Sequence, residues 1–174
     1  MNSLKLKDKI AIITGADGAI GSAVAKLFAD EGAVLVLTAF SDEGIKKLQD
    51  EIDPNTMVLP MDSTDLAECQ KMTQYVVDTY GRIDILVNNA GTWDGYAAIT
   101  RTSSELWAYN LEVNQNAAFR LTKAVIGHMT AADSGCIINV SSVCGTYSIG
   151  GAAYSSSKLA IMEFQISAVS RPYR

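Results

Sequence analysis

Short apolar runs alternate along the chain with longer stretches in which apolar residues recur every three or four positions. Ile10 to Thr14 (IAIIT), Val34 to Thr38 (VLVLT), Met57 to Pro60, Ile83 to Val87 and Cys136 to Val140 (CIINV) read as strands. The run at Met57 is short and has the character of a sheet edge. Between them the spacing predicts a helix over 20–30, with Ile20, Val24, Leu27 and Phe28 on one face and Gly32 as its stop. A charged amphipathic helix over 42–52 ends at Pro54, and another over 65–80 ends at Gly81. One continuous helix is predicted over 103–129, and a last one over 154–170 with Pro172 just beyond. Strands that are apolar on both faces and alternate with helices predict a parallel sheet covered on each side. Right-handed crossovers then give an α/β, doubly wound, Rossmann-like sheet in three α/β/α layers. No repeat, low-complexity tract or linker divides residues 1–174, so one domain is expected.

Composition narrows the function classes. Of 174 residues, 48% are apolar and 19% charged, which suits a folded domain and excludes a disordered chain. A net charge of -5 argues against a nucleic-acid surface or a polybasic membrane patch. MNSLKLKDKI lacks the apolar core of a signal peptide, and no apolar run is long enough to span a bilayer. Cys69, Cys136 and Cys144 are far apart and odd in number, which predicts free thiols in a reducing, cytoplasmic setting. His128 has no second imidazole near it in sequence, so no metal is expected.

In such sheets ligands bind beyond the carboxyl ends of the strands. The first of these turns is TGADGAIG, Thr14 to Gly21, between a strand and a helix. Its glycines let backbone N–H groups approach phosphate oxygens, and the helix N-terminus adds positive character. Asp62 and Ser63 follow the third strand, where a carboxylate can accept from an adenine amino group; Asp62 could equally cap the next helix. Asn88-Asn89-Ala90-Gly91 follows the fourth strand, where small residues leave room for a ligand or simply form a turn.

The chemistry-bearing pair lies in AYSSSK. Tyr154 and Lys158 are four apart on a predicted helix and share a face. An ammonium beside a phenol favours the phenolate, which suits a proton donor and acceptor. Ser142, in VSSVCG after the fifth strand, can reach the same place. Taken alone, such a pair is also an ordinary solvated helix face.

Taken in order, TGADGAIG, Asp62, NNAG, Asn114 in LEVNQNAAF, Ser142 in INVSSVCG and YSSSK resemble the short-chain dehydrogenase/reductase family from about Lys5 to about Ile166. The resemblance implies Tyr154 as general acid in carbonyl reduction and base in alcohol oxidation. It implies Lys158 as its electrostatic support and as a ligand of the nicotinamide ribose. Ser142, rather than Ser141, would orient the substrate oxygen. Asn114 would interrupt the long helix locally and hold a water in a proton relay. Cofactor contacts are implied for Gly15, Asp17, Gly18, Ile20, Gly21, Phe40, Asp62, Ser63, Asn88, Ala90, Gly91, Tyr154 and Lys158. The cofactor is NAD or NADP, the substrate a small alcohol or carbonyl compound, and the assembly a homodimer or homotetramer.

The chain departs from the family pattern in three places. Ala19 stands where glycine is usual, which predicts weaker cofactor binding. After the second strand come Ala39, Phe40 and Ser41, so both the carboxylate that favours NAD and the arginine that favours NADP are missing there. The family also continues into two further strands and a substrate lid, absent from this sequence, which would leave the fifth strand as an exposed edge. An oxidoreductase and a catalytically weak nucleotide-binding or assembly module are therefore both expectations to weigh.

Overall fold

The computed structural model describes residues 4–53, 56–147 and 149–169. Five parallel strands form one sheet: β1 (Ile10–Thr14), β2 (Val34–Ala39), β3 (Met57–Pro60), β4 (Ile85–Asn88) and β5 (Cys136–Asn139), in the order β3-β2-β1-β4-β5. The order reverses at β1, whose neighbours are β2 and β4. That reversal opens a crevice at the carboxyl ends of β1 and β4, where doubly wound sheets bind ligands.

Alternation along β1 divides the core. Ile10 and Ile12 face one layer with Cys69, Met72, Val76, Leu121 and Val125, carried by α3 (Leu66–Tyr80) and α5 (Ala117–Ala131). Ala11 and Ile13 face the other layer with Ala25 and Leu48, carried by α1 (Ala19–Asp30) and α2 (Asp42–Glu51). Every residue of β1 is buried, which its unbroken apolar run requires. β5 lies at the sheet's end, and Cys136 and Ile138 are exposed along it. The edge expected there is present.

Four elements differ from the pattern reading. β4 begins at Ile85 rather than Ile83, because Asp84 turns its carboxylate to the Ile10 N–H at 2.9 Å and to Lys9 and Arg82. Ile83 still packs in the core. The continuous helix expected over 103–129 is instead α4 (Ser104–Leu111), a π-helical turn (Glu112–Asn116) and α5. Apolar spacing cannot register a π turn, which inserts one residue without breaking the helix axis, but the local interruption at Asn114 implied by the family resemblance is there. A short helix, α6 (Val143–Tyr147), occupies what reads as loop, and α7 (Ala152–Val169) starts two residues before Tyr154. Pro54, Ser170 and Pro172, expected as helix ends, lie outside the described residues.

Candidate active site

The glycine loop is built for close approach. Gly15 has φ +59°, and a Cβ on it would lie 2.9 Å from the Ala90 Cα. A Cβ on Gly21 would lie 2.4 Å from the Gly15 carbonyl oxygen, so glycine there lets α1 pack onto the turn. Thr14 joins this loop to NNAG: its Oγ accepts from the Asn89 and Ala90 N–H groups, both at 3.0 Å. Asn89 returns its side-chain amide to the carbonyls of Thr14 and Gly15 at 2.9 and 3.0 Å. α1 begins at Gly18 with no side-chain cap, whereas Ser41, Asp65 and Ser103 cap α2, α3 and α4. Its first N–H groups are therefore left for a ligand. Gly18, Ala19 and Ile20 are exposed at this end.

A cleft of about 350 Å³ runs from Gly15 and Asp17, past Ala39, Phe40 and Ser41, to Asp62 and Ser63, and back to Ala90, Gly91 and Thr92. Of the residues implied as cofactor contacts, Gly15, Asp17, Phe40, Asp62, Ser63, Ala90 and Gly91 line it, whereas Gly18, Ile20, Gly21, Tyr154 and Lys158 do not. Asp62 Oδ1 accepts from the N–H and hydroxyl of Thr64 at 2.8 and 2.7 Å, and Asp65 is the cap of α3. Asp62 is thus free of the capping role its position allowed. Asn88 does not line the cleft. Its side chain is buried and donates to Asn139 at 2.8 Å and Thr122 at 3.3 Å, tying β4 to β5 and α5. As the last residue of β4 it points across the sheet, and the neighbouring Asn89 acts on the glycine loop.

Asn114 and Lys158 meet at the ends of β4 and β5, with Tyr154 beside Lys158, and Ser142 follows β5. Asn114 lies in the π turn, only 1% exposed. Its Oδ1 accepts from the Thr92 N–H at 2.7 Å, and its Nδ2 donates to the Thr92 carbonyl at 3.0 Å and to Ser157 Oγ at 2.9 Å. The side chain is a strut between the NNAG loop and α7. A Cβ on Gly91 would sit 3.1 Å from Asn114 Oδ1 and 3.4 Å from Lys158 Nζ, so this glycine brings the loop against both.

Lys158 is 5% exposed and donates to the Val140 carbonyl at 2.9 Å. Burial holds its ammonium below the ordinary lysine value. Its Nζ is 5.9 Å from the centre of the Tyr154 ring. Ser141 donates its hydroxyl to the Lys158 carbonyl at 2.6 Å and is committed to holding α7. Ser142 Oγ accepts only from the Cys144 N–H at 3.2 Å among its described bonds, and its hydroxyl hydrogen is available to a ligand.

Sequence reasoning missed Thr14, Asn89, Ser157 and Asp94. The first three lie inside the quoted motifs TGADGAIG, NNAG and YSSSK, without a role assigned to them there. Asp94 gave no local signal, because its partner is 60 positions away. Among the described residues no cluster suited to a metal ion occurs, and no helix is long and apolar enough to cross a membrane.

A family model described as short chain dehydrogenase matches residues 9–170. A 3-oxoacyl-(acyl-carrier-protein) reductase FabG of Vibrio cholerae is 36% identical over 163 residues, covering 92% of this chain and 66% of that protein. A monensin polyketide synthase putative ketoacyl reductase of Streptomyces virginiae is 38% identical over 164 residues, covering 90% of this chain and 62% of that protein. Among solved structures, an NAD+-bound xylitol dehydrogenase superposes with a TM-score of 0.90 at 31% identity, covering 94% of this chain and 65% of that one. The chain thus spans about two thirds of the length of the relatives it matches. The doubly wound sheet, the stitched glycine loop and these matches agree: the chain belongs to the short-chain dehydrogenase family.

Proposed function

We propose that this chain carries the cofactor and proton-transfer machinery of an NAD(P)-dependent oxidoreductase that interconverts a secondary alcohol and a ketone. The observation that carries this reading is the convergence of Gly91, Asn114, Val140 and Lys158 beside Tyr154. The residues fit a dinucleotide. The uncapped N-terminus of α1 and Gly15 suit the pyrophosphate, and the cleft reaches Asp62 and Ser63 on the adenosine side. Lys158, Tyr154 and the NNAG backbone suit the nicotinamide side.

When bound, the nicotinamide group supplies or accepts the hydride. The protein's own part is position and proton. Ser142 donates to the substrate oxygen and orients it. Tyr154 gives its phenolic proton to that oxygen in reduction and takes it back in oxidation. The Lys158 ammonium stabilises charge on the phenol oxygen as the proton leaves. Asn114 spends its amide hydrogens on Thr92 and Ser157, so a relay water on this side chain sits on the remaining lone pair of Oδ1.

NAD is the better fit. Asp17 and Asp62 are the charged residues lining the cleft, and the Asp17 carboxylate sits against Gly44, where a Cβ would lie 2.6 Å from Oδ2. A carboxylate accepts from a ribose diol and repels a 2′-phosphate. The relatives named as 3-oxoacyl and ketoacyl reductases favour a 3-oxoacyl thioester as substrate. Exposed Tyr109 and Phe119 on α4 and α5 favour assembly of like chains. Mixing the protein with NADH and 3-oxoacyl thioesters, simple ketones or polyols tests the reading. Loss of the NADH absorbance with a 3-oxoacyl thioester is the expected result. No absorbance change with any of them, and no rise in melting temperature with cofactor, would overturn it.

A further inference from the structure

A buried carboxylate outside the residues just described holds the tyrosine's own backbone. Asp94 is 5% exposed, in the loop that follows NNAG. Its Oδ2 accepts from the Tyr154 N–H at 2.9 Å. Its Oδ1 accepts from the Tyr96 N–H at 3.2 Å, two residues along its own loop. The loop is bent to allow this: Gly95 and Tyr96 both have left-handed backbone, with φ +69° and +55°. A tyrosine is strained in that conformation, so the bend needs a partner to hold it.

The place of Tyr154 in its helix gives the bond its meaning. The Ser155 N–H bonds the Gly151 carbonyl at 2.9 Å, which makes Gly151 the capping residue of α7 and Tyr154 its third helical residue. That third N–H is one a cap side chain normally satisfies. Gly151 has no side chain, and one there would push the Asp94 carboxylate from its place. A Cβ there would lie 2.2–2.4 Å from all three carboxyl atoms of Asp94. The cap is therefore supplied from the loop, and the glycine is the space it occupies. A weaker bond, from the Ala152 N–H to the Ala97 carbonyl at 3.4 Å, runs beside it. The same loop presents exposed Trp93 and Tyr96, packed edge to face at 5.0 Å.

We infer that Asp94 is a positioning residue for Tyr154: it caps α7 across the fold and fixes the tyrosine's backbone relative to the loop after β4. The consequence for turnover rests on the acid–base role proposed above, whereas the clamp itself does not. Two measurements therefore read the clamp without activity. In Asp94→Ala, amide hydrogen exchange at Tyr154 accelerates more than tenfold while amides of β1 and β4 keep their rates. In a double-mutant cycle, Gly151→Ala lowers the melting temperature when Asp94 is present and has little effect in Asp94→Ala, because the collision is gone. Unchanged exchange at Tyr154, or equal effects of Gly151→Ala in both backgrounds, would overturn the clamp.

The kinetic arm uses the full chain. Asp94→Ala lowers kcat at least tenfold with cofactor Kd within twofold of wild type, and its solvent deuterium isotope effect rises as proton transfer becomes limiting. Asp94→Asn, which keeps one acceptor oxygen, recovers part of kcat. Fast exchange at Tyr154 with unchanged kcat would overturn the positioning role. Turnover indifferent to Tyr154→Phe would refute the proposed chemistry instead, and leave exchange and the cycle to decide the clamp.

Discussion

The two halves of the crevice are made of different material. On the β1–β3 side the site is formed by backbone: a glycine loop, an uncapped helix end, and small residues over strands whose buried positions are almost all apolar. On the β4–β5 side it is formed by buried polar side chains, with Asp94, Asn114, Ser157 and Lys158 all close to fully enclosed. Polar groups are costly to bury unless partnered. The cost is met at Asn114 by three hydrogen bonds, and at Lys158 by the Val140 carbonyl. On the proposed function, one half offers a surface that phosphate and ribose can lie along, and the other holds atoms against a reacting bond with the stiffness of an interlocked polar network.

Breaking the network should cost more than altering the surface. Asn114→Ala leaves the Thr92 N–H and Ser157 without their partner. We expect a stability loss of about 1–3 kcal/mol in denaturant titration, and a larger proportional loss of turnover than of cofactor affinity. A loss confined to cofactor affinity would mean the π turn serves the wrong half.

On the surface side, Asp17→Asn removes a charge and little else. The ratio of NADP to NAD dissociation constants should fall about tenfold, worth about 1.4 kcal/mol, with stability unchanged. A ratio that does not move would remove Asp17 from cofactor choice.

The smallest effect concerns the thiols, which differ in exposure from buried Cys69 to exposed Cys136. Burial pushes the Cys69 thiol up from 9.0 to about 11, with Arg120 opposing and nearby carboxylates adding. The thiolate is the reactive form, so at pH 8 a thiol reagent should label exposed Cys136 first, half-buried Cys144 more slowly, and Cys69 only on unfolding. Labelling of Cys69 at the rate of Cys136 would show that the core under α3 opens readily.

The same contrast explains what was legible in the sequence. Apolar runs such as IAIIT and VLVLT can be satisfied only by burial on both faces, so the parallel sheet and its layers could be read directly. TGADGAIG was legible for a local reason, since its glycines are needed at a turn between adjacent elements. Asn114 was placed by resemblance, while its mechanical effect, a π turn in an otherwise unbroken apolar pattern, has no signature in spacing. The direction of Asn88 was not legible, because an asparagine at a strand end can point along the crevice or across the sheet, and only pairing with Asn139 decides. Asp94 was invisible because its partner, the Tyr154 N–H, is distant in sequence and belongs to the backbone.

The central claim is that the polar half exists to serve one phenol. It is tested by measuring turnover and cofactor dissociation constant together in Tyr154→Phe, which removes the hydroxyl and keeps the ring. A fall in kcat of about 10²–10⁴ with a dissociation constant within twofold of wild type is the predicted result. Turnover that survives the substitution, or falls only in step with cofactor affinity, would contradict it.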